Sequence, residues 1–104
     1  MSLALQPNDL IVIVDEDIID IVPMFLENQR KALEKMHKDV GDRTLLRRAG
    51  HSMKGVGGMY GFDWISRFGA ELEGAADERP EQIPELLALL AWYLDEVRFA
   101  AEAA

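Results

Sequence analysis

The chain has 104 residues, a length that suits one small domain with a single core. Its net charge of −8 disfavours binding to nucleic acid or to an anionic membrane, and the absence of cysteine excludes disulfides, thiolate nucleophiles and zinc-finger patterns. No apolar run approaches the roughly 20 residues that span a bilayer, and we expect a cytoplasmic protein without nucleic-acid or membrane partners.

The first part of the chain predicts an extension followed by a short helix. Residues 10–14 read LIVIV, a β-branched run that would suit a strand. No second strand is apparent in the sequence, so we interpret residues 1–14 as an N-terminal tail or extension folded against the remainder. The acidic residues that follow suit a helix N-terminus, which predicts a short helix from about Asp15 to Val22.

Four amphipathic helices are predicted to follow this segment, each with apolar residues on one face. They cover residues 23–40, 43–59, 63–76 and 81–103, with Asp42 as an N-cap and with Gly41 and Gly61 as helix ends. Short links make consecutive helices antiparallel neighbours. The predicted fold is therefore all-α, an antiparallel up-down-up-down four-helix bundle with a short extra N-terminal helix, and the bundle domain covers residues 15–104.

The second of these helices carries one of the two histidines in a glycine-rich tract, GHSMKGVGGMYGF. On a helical wheel of about 100° per residue, the apolar residues of this helix fall within an arc of roughly 100° that forms the core face. His51 falls near 240°, almost opposite the centre of that face. The sequence therefore predicts that the His51 side chain points to solvent.

The glycines of this tract fall into two groups on the same wheel. Gly50 and Gly57 lie beside the core face, where small residues allow a neighbouring helix to pack closely. Gly55 and Gly58 lie on the solvent side and flank His51, although two such glycines cost a helix on the order of 2 kcal/mol. Because folding does not require them there, we interpret Gly55 and Gly58 as room for a partner protein.

Two cations accompany His51 on its face of the helix. Arg47 precedes it by four residues and Lys54 follows it by three, and both spacings place side chains on one face. An exposed imidazole is largely neutral near pH 7 and can act as a nucleophile. We therefore expect His51 to accept a phosphoryl group, Lys54 to stabilise the phosphoryl oxygens, and Arg47 to contribute to docking.

The chain lacks the means to phosphorylate itself from a nucleotide. It has no GxxxxGK[ST] loop, and no convincing carboxylate cluster for magnesium lies on the predicted face of His51. We therefore expect no intrinsic metal or cofactor and no intrinsic kinase activity. The phosphoryl group and its metal ion must come from a partner.

The residues around His51 resemble a known family, the histidine-containing phosphotransfer (HPt) domains of two-component phosphorelays. The family signature H-x-x-K-G appears as His51-Ser52-Met53-Lys54-Gly55, and the further glycine six residues later is Gly61. The leucine–glutamate pair common on the next helix appears as Leu72-Glu73. The resemblance covers about residues 15–100, although the tract after Lys54 is richer in glycine than is typical of the family.

The resemblance implies a function and a set of roles. His51 would be the phosphorylated residue, Lys54 would stabilise the phosphoryl group, and Gly55 would leave room for the partner. That partner would be a response-regulator receiver domain that carries the phosphoaspartate and a magnesium ion, with reversible transfer from Asp to His to Asp. Family members are free-standing or belong to hybrid histidine kinases, and the sequence leaves both open.

Three alternatives remain. The segment IVIVDED resembles the first strand and acidic pair of a receiver domain, but four helices follow it instead of alternating strands. A histidine-kinase phosphoacceptor region also presents a histidine on a bundle, but there an acidic residue usually follows the histidine, whereas here Ser52 does. A non-catalytic helical adaptor would keep the docking glycines and give His51 no role. We expect a monomer, although the apolar last helix with Trp92 could support a dimer.

Overall fold

The computed structural model describes residues 3–102 and is built mainly from four α-helices. They are α1 (Val22–Lys38), α2 (Arg43–Gly57), α3 (Asp63–Glu78) and α4 (Ile83–Glu96), and two short strands are β1 (Ile11–Val14) and β2 (Arg98–Ala101). The prediction of a four-helix, mainly α-helical domain is confirmed, whereas the up-down-up-down order of all four helices stays a prediction. None of the helices in residues 3–102 is both long enough and apolar enough to span a membrane.

The short helix predicted from Asp15 to Val22 is wrong. Asp15 instead organises a turn, in which its carboxylate accepts the N–H of Asp17 at 2.9 Å and its backbone carbonyl accepts the N–H of Ile18 at 3.0 Å. A single 3₁₀ turn, Ile19–Ile21, then leads directly into α1. A short acidic side chain that bonds to the nearby backbone favours a turn over a helix, and so short a helix is costly to nucleate.

The prediction that the chain has no second strand is also wrong. Helix α4 ends at Glu96, and Arg98–Ala101 form β2, which pairs in parallel with β1 so that Ile11 faces Arg98 and Val14 faces Ala101. The predicted fourth helix is thus several residues too long. Residues 11–14 do lie against the bundle, because Val14 is buried. The division of the chain at residue 14 stays a prediction.

The ends of α1 and α2 show how local sequence sets the helix bounds. Helix α1 stops at Lys38, before the predicted end at residue 40, and Val40 is exposed. Asp42 is the N-cap of α2, where its carboxylate accepts the N–H of Leu45 at 3.1 Å. A 3₁₀ turn extends α2 to residue 60, and Gly61 ends it with a φ of +83°, a backbone conformation that favours glycine.

The core lies between the helices and also takes in β1. It contains side chains from every helix, including Phe25, Leu46, Phe68 and Leu90. The apolar face predicted for α3 is buried, and its residues are Ile65, Phe68, Leu72, Ala75 and Ala76. Along α4 the buried apolar face extends to Leu94, whereas Ala101, which the predicted fourth helix included, lies in β2 and is exposed.

Helices α2 and α3 pack closely because glycines face each other across their contact. A Cβ atom added at Gly50 would lie 2.7 Å from the backbone N of Glu73, and one added at Gly57 would lie 2.5 Å from the backbone N of Ser66. Gly69 faces the backbone of Gly50 in return, a contribution that sequence reasoning missed. Gly50 and Gly57 thus both lie against backbone atoms of α3, and the contact fixes which α3 side chains lie beside α2.

Candidate functional site

His51 lies in the third turn of α2 and points away from the core. Its side chain is 75% exposed, as its position on the helical wheel predicts. The neighbouring residue toward the core, Met53, is 2% exposed. The same helix therefore anchors itself with its apolar face and presents the imidazole ring to solvent.

The exposed ring is held by a carboxylate from the adjacent helix. Nδ1 of His51 lies 2.6 Å from Oε2 of Glu73 in α3. The hydrogen bond from His51, helped by the charge of Lys54, lowers the pKa of Glu73 although partial burial opposes the shift. Glu73 is thus a carboxylate near neutral pH, and a carboxylate can only accept hydrogen bonds. Nδ1 must therefore carry a proton, so that in the neutral form of the ring the lone pair lies on Nε2.

Lys54 also contacts this carboxylate. Its ammonium nitrogen lies 3.5 Å from Oε1 of Glu73, so the two oxygens of one carboxylate face two different side chains of α2. Lys54 remains 54% exposed. The structure therefore brings His51 and Lys54 together, but through Glu73 rather than by direct contact.

Arg47 lies on the same side of α2 but is engaged elsewhere. Its guanidinium donates from Nε to Asp77 of α3 at 2.7 Å, and its terminal nitrogen lies 2.7 Å from the same oxygen. Both side chains are close to half exposed. Arg47 thus lines the surroundings of His51 while its guanidinium group is bound to α3.

The two solvent-side glycines leave the surface beside the ring bare. A Cβ atom at Gly55 would meet no atom within 4 Å, and one at Gly58 would meet only the hydroxyl of Ser66 at 3.8 Å. The backbone N–H of Gly58 donates to that hydroxyl at 2.9 Å. No contact within the described chain therefore requires glycine at position 55.

An open cavity of about 620 Å³ lies next to the imidazole ring. It is lined by Arg47, Arg48, His51, Ser52 and Glu73. Within residues 3–102 the side chains of His, Asp and Glu do not form a group of three or more that could hold a metal ion. The groups available at this cavity are an exposed imidazole, a carboxylate and nearby cations.

Sequence reasoning missed the position of Glu73 in the site. The sequence contained a signal, because the pair Leu72-Glu73 was noted, but no role was assigned to the glutamate. Residues 51 and 73 lie on different helices, so their contact depends on the close packing of α2 on α3. The glycines at positions 50 and 57 indicate close packing of a neighbouring helix, but they do not identify which α3 residue faces His51.

A family model described as the Hpt domain matches residues 20–100, which is most of the chain and includes the whole of the site. No curated protein and no solved structure matches the chain.

Proposed function

Since this chain belongs to the Hpt domain family, whose members carry out histidine phosphotransfer in phosphorelays, we propose that His51 is its phosphoacceptor. The observation that supports the proposal most is the hydrogen bond between Nδ1 of His51 and Glu73 at 2.6 Å. This bond directs the lone pair of Nε2 away from the carboxylate. An exposed ring with a defined tautomer is what a nucleophile on a docking surface requires.

The transfer step follows from this tautomer. Nε2 attacks the phosphorus of an aspartyl phosphate on a partner receiver domain, so that the N–P bond forms as the bond from phosphorus to the aspartate oxygen breaks. The aspartate leaves as a carboxylate, and no proton has to move. The ring keeps its proton on Nδ1 and becomes positively charged, and the negative charge of Glu73 stabilises that cation. The reverse sequence returns the phosphoryl group to an aspartate.

The partner supplies what this chain does not. In this proposal a magnesium ion is bound by the receiver domain, Lys54 stabilises the phosphoryl oxygens, and the bare surface at Gly55 and Gly58 lets the receiver approach the ring. Arg47 contributes to docking from its place beside Asp77. The domain acts as a relay intermediate without kinase activity of its own, either free-standing or within a hybrid histidine kinase.

The proposal extends to the setting of the domain. We take residues 15–104 as the domain, an antiparallel up-down-up-down bundle that works as a cytoplasmic monomer. Contacts between α2 and α3 support antiparallel packing for that pair, because Gly57 lies beside Ser66 whereas Gly50 lies beside Glu73. Residue numbers thus fall along α3 as they rise along α2.

The decisive experiment is phosphotransfer from radiolabelled, phosphorylated receiver domains of the same genome. Wild-type chain should acquire an acid-labile label from its cognate receiver, and His51→Gln should lose it entirely because no nucleophile remains. His37→Gln is the matched control, since His37 is the other histidine and lies exposed on α1. The control should be labelled like the wild type. Equal labelling of His51→Gln would show that the assignment is wrong and that another residue accepts the phosphoryl group, whereas a wild-type chain that takes no label would favour a helical adaptor.

A further inference from the structure

The carboxylate of Glu73 contacts two donors, and the two donor–acceptor distances differ widely. The contact from Nδ1 of His51 is 2.6 Å, whereas that from the ammonium of Lys54 is 3.5 Å. The usual range for a donor nitrogen and an acceptor oxygen is roughly 2.7–3.2 Å, so Lys54 is held loosely. Its flexible stem and half-exposed position leave the ammonium free to move.

Lys54 could pair with either of two anions, the carboxylate of Glu73 or a phosphoryl group on His51, and the orientation of the ring places them on different sides. Because Nδ1 faces Glu73, Nε2 lies across the ring, and a phosphoryl group attached there is on the far side from the carboxylate. A phosphoryl group carries about two negative charges and three acceptor oxygens, against one charge and two oxygens for a carboxylate. The phosphoryl group is therefore the stronger competitor for a loosely held ammonium group.

The charge that forms on the His51 ring allows the ammonium group of Lys54 to dissociate from Glu73. Phosphorylation at Nε2 with the proton retained on Nδ1 turns the ring from neutral to positive. The hydrogen bond to Glu73, which until then has a charge only on its acceptor, then has a charged donor as well and becomes stronger. Arg47 is a poorer candidate for the phosphoryl group, because two of its nitrogens contact Asp77 at 2.7 Å.

From these contacts we infer that Lys54 is exchanged between two anions during the relay. It pairs with Glu73 before transfer and with the phosphoryl group on His51 after transfer, and the charge formed on the ring takes its place at Glu73. This inference rests on the proposed function of His51. Glu73 is then a positioning residue in two ways: it orients the His51 ring, and it keeps the Lys54 ammonium group near the ring while the site is unphosphorylated.

The exchange can be measured by NMR on the full chain, phosphorylated with phosphoramidate as a small-molecule donor. The ¹³C shift of the Glu73 carboxyl at pH 7.5 reports its contact with Lys54, and the ³¹P titration reports the contact of a cation with the phosphoryl group. Lys54→Gln should change the Glu73 shift in the unphosphorylated chain and leave it unchanged in the phosphorylated chain. It should also raise the ³¹P midpoint by about half a pH unit, the size typical of an exposed ion pair.

Two further variants sharpen the result. Lys54→Arg keeps the charge and should behave like the wild type in both measurements. Arg48→Gln removes one of the two arginines that line the cavity and leaves Lys54 in place, and it should leave the ³¹P midpoint unchanged. Amide spectra of each variant show whether the bundle remains folded.

Several outcomes would overturn the exchange. They are an equal effect of Lys54→Gln on Glu73 in both states, a ³¹P midpoint that does not move in Lys54→Gln, and a midpoint that moves in Arg48→Gln instead. All three require a phosphohistidine signal. Absence of that signal in wild-type chain would overturn the proposed function of His51 itself, and the exchange with it, so the two failures are distinguishable.

Discussion

At the scale of single residues, Glu73 connects the charge of the site to the stability of the fold. Its folded-state pKa is lowered by the hydrogen bond from His51 first and by the charge of Lys54 second. A carboxyl group with a depressed folded-state pKa stabilises the protein above its unfolded-state pKa, here about 4.5. That contribution is lost as the pH falls through the folded-state value.

The pH dependence of Glu73→Gln tests this assignment. The free energy of unfolding of the wild type should exceed that of the variant above pH 4.5, and the difference should shrink as the pH is lowered further. Urea unfolding followed by circular dichroism across pH 3 to 7 measures both proteins. Glu34→Gln, which removes an exposed carboxylate from α1, shows the effect of losing one surface charge. A wild-type advantage that grows toward low pH would contradict the assigned cause.

The residues of the site were predictable to different degrees for physical reasons. The periodicity of α2 alone placed His51 on the solvent side, because a helix fixes the angle between its own residues. The contact between residues 51 and 73 joins two helices, and it depends on their distance and rotation, which the sequence pattern does not contain. Arg47 shows the same limit, since its bond to Asp77 gives it a partner that the spacing along α2 could not indicate.

At the scale of elements, the glycines of α2 serve two opposite faces. Gly50 is buried against α3, so its missing side chain allows the backbones to approach. Gly55 faces open space and meets no atom of the described chain. The two positions therefore separate a requirement of the fold from a requirement of the proposed docking.

Alanine substitutions at these two positions should have opposite consequences. Gly50→Ala should lower the free energy of unfolding by about 1–3 kcal/mol, because its Cβ would lie 2.7 Å from backbone atoms of Glu73 and Gly69. Gly55→Ala should raise it by up to about 1 kcal/mol through helix propensity and still slow phosphotransfer from the receiver. Urea unfolding and the transfer rate measure the two effects. Full stability of Gly50→Ala, or unchanged transfer in Gly55→Ala, would contradict the respective role.

The bounds of the elements followed from the sequence where a strong local signal exists. The N-cap at Asp42 and the break at Gly61 are such signals, and both lie where they were expected. Residues 97–103 lack a comparable stop signal, so the sequence pattern alone predicts that α4 continues beyond Glu96. Their strand depends on pairing with residues 11–14, at the other end of the chain.

At the scale of the whole molecule, the strand pair joins the segment before α1 and the segment after α4 to the bundle. Val14 is 1% exposed, whereas its neighbour Ile13 is 59% exposed, so β1 has an inner and an outer face. Phe99 of β2 lies edge-on to the buried ring of Phe62, with the ring centres 6.5 Å apart. The segment before α1 is therefore part of the packed structure as well as an extension.

A matched pair of substitutions in β1 tests this role. Val14→Asp places a charge in the core and should lower the free energy of unfolding by about 3 kcal/mol. Ile13→Asp introduces the same charge on the outer face and should change it by less than about 0.5 kcal/mol. Chemical denaturation measures both variants, and equal stability of the two would mean that β1 does not pack on the bundle.

The parallel pairing of β1 with β2 also bears on the order in which the molecule assembles. It joins segments separated by nearly the whole chain, so closing it costs more conformational entropy than joining α2 to α3 across a short turn. Long-range contacts of this kind tend to form late in folding, whereas local helix pairs form early. The strands would then be among the first parts to detach in a thermal fluctuation, while the helix pair that carries His51 and Glu73 stays assembled.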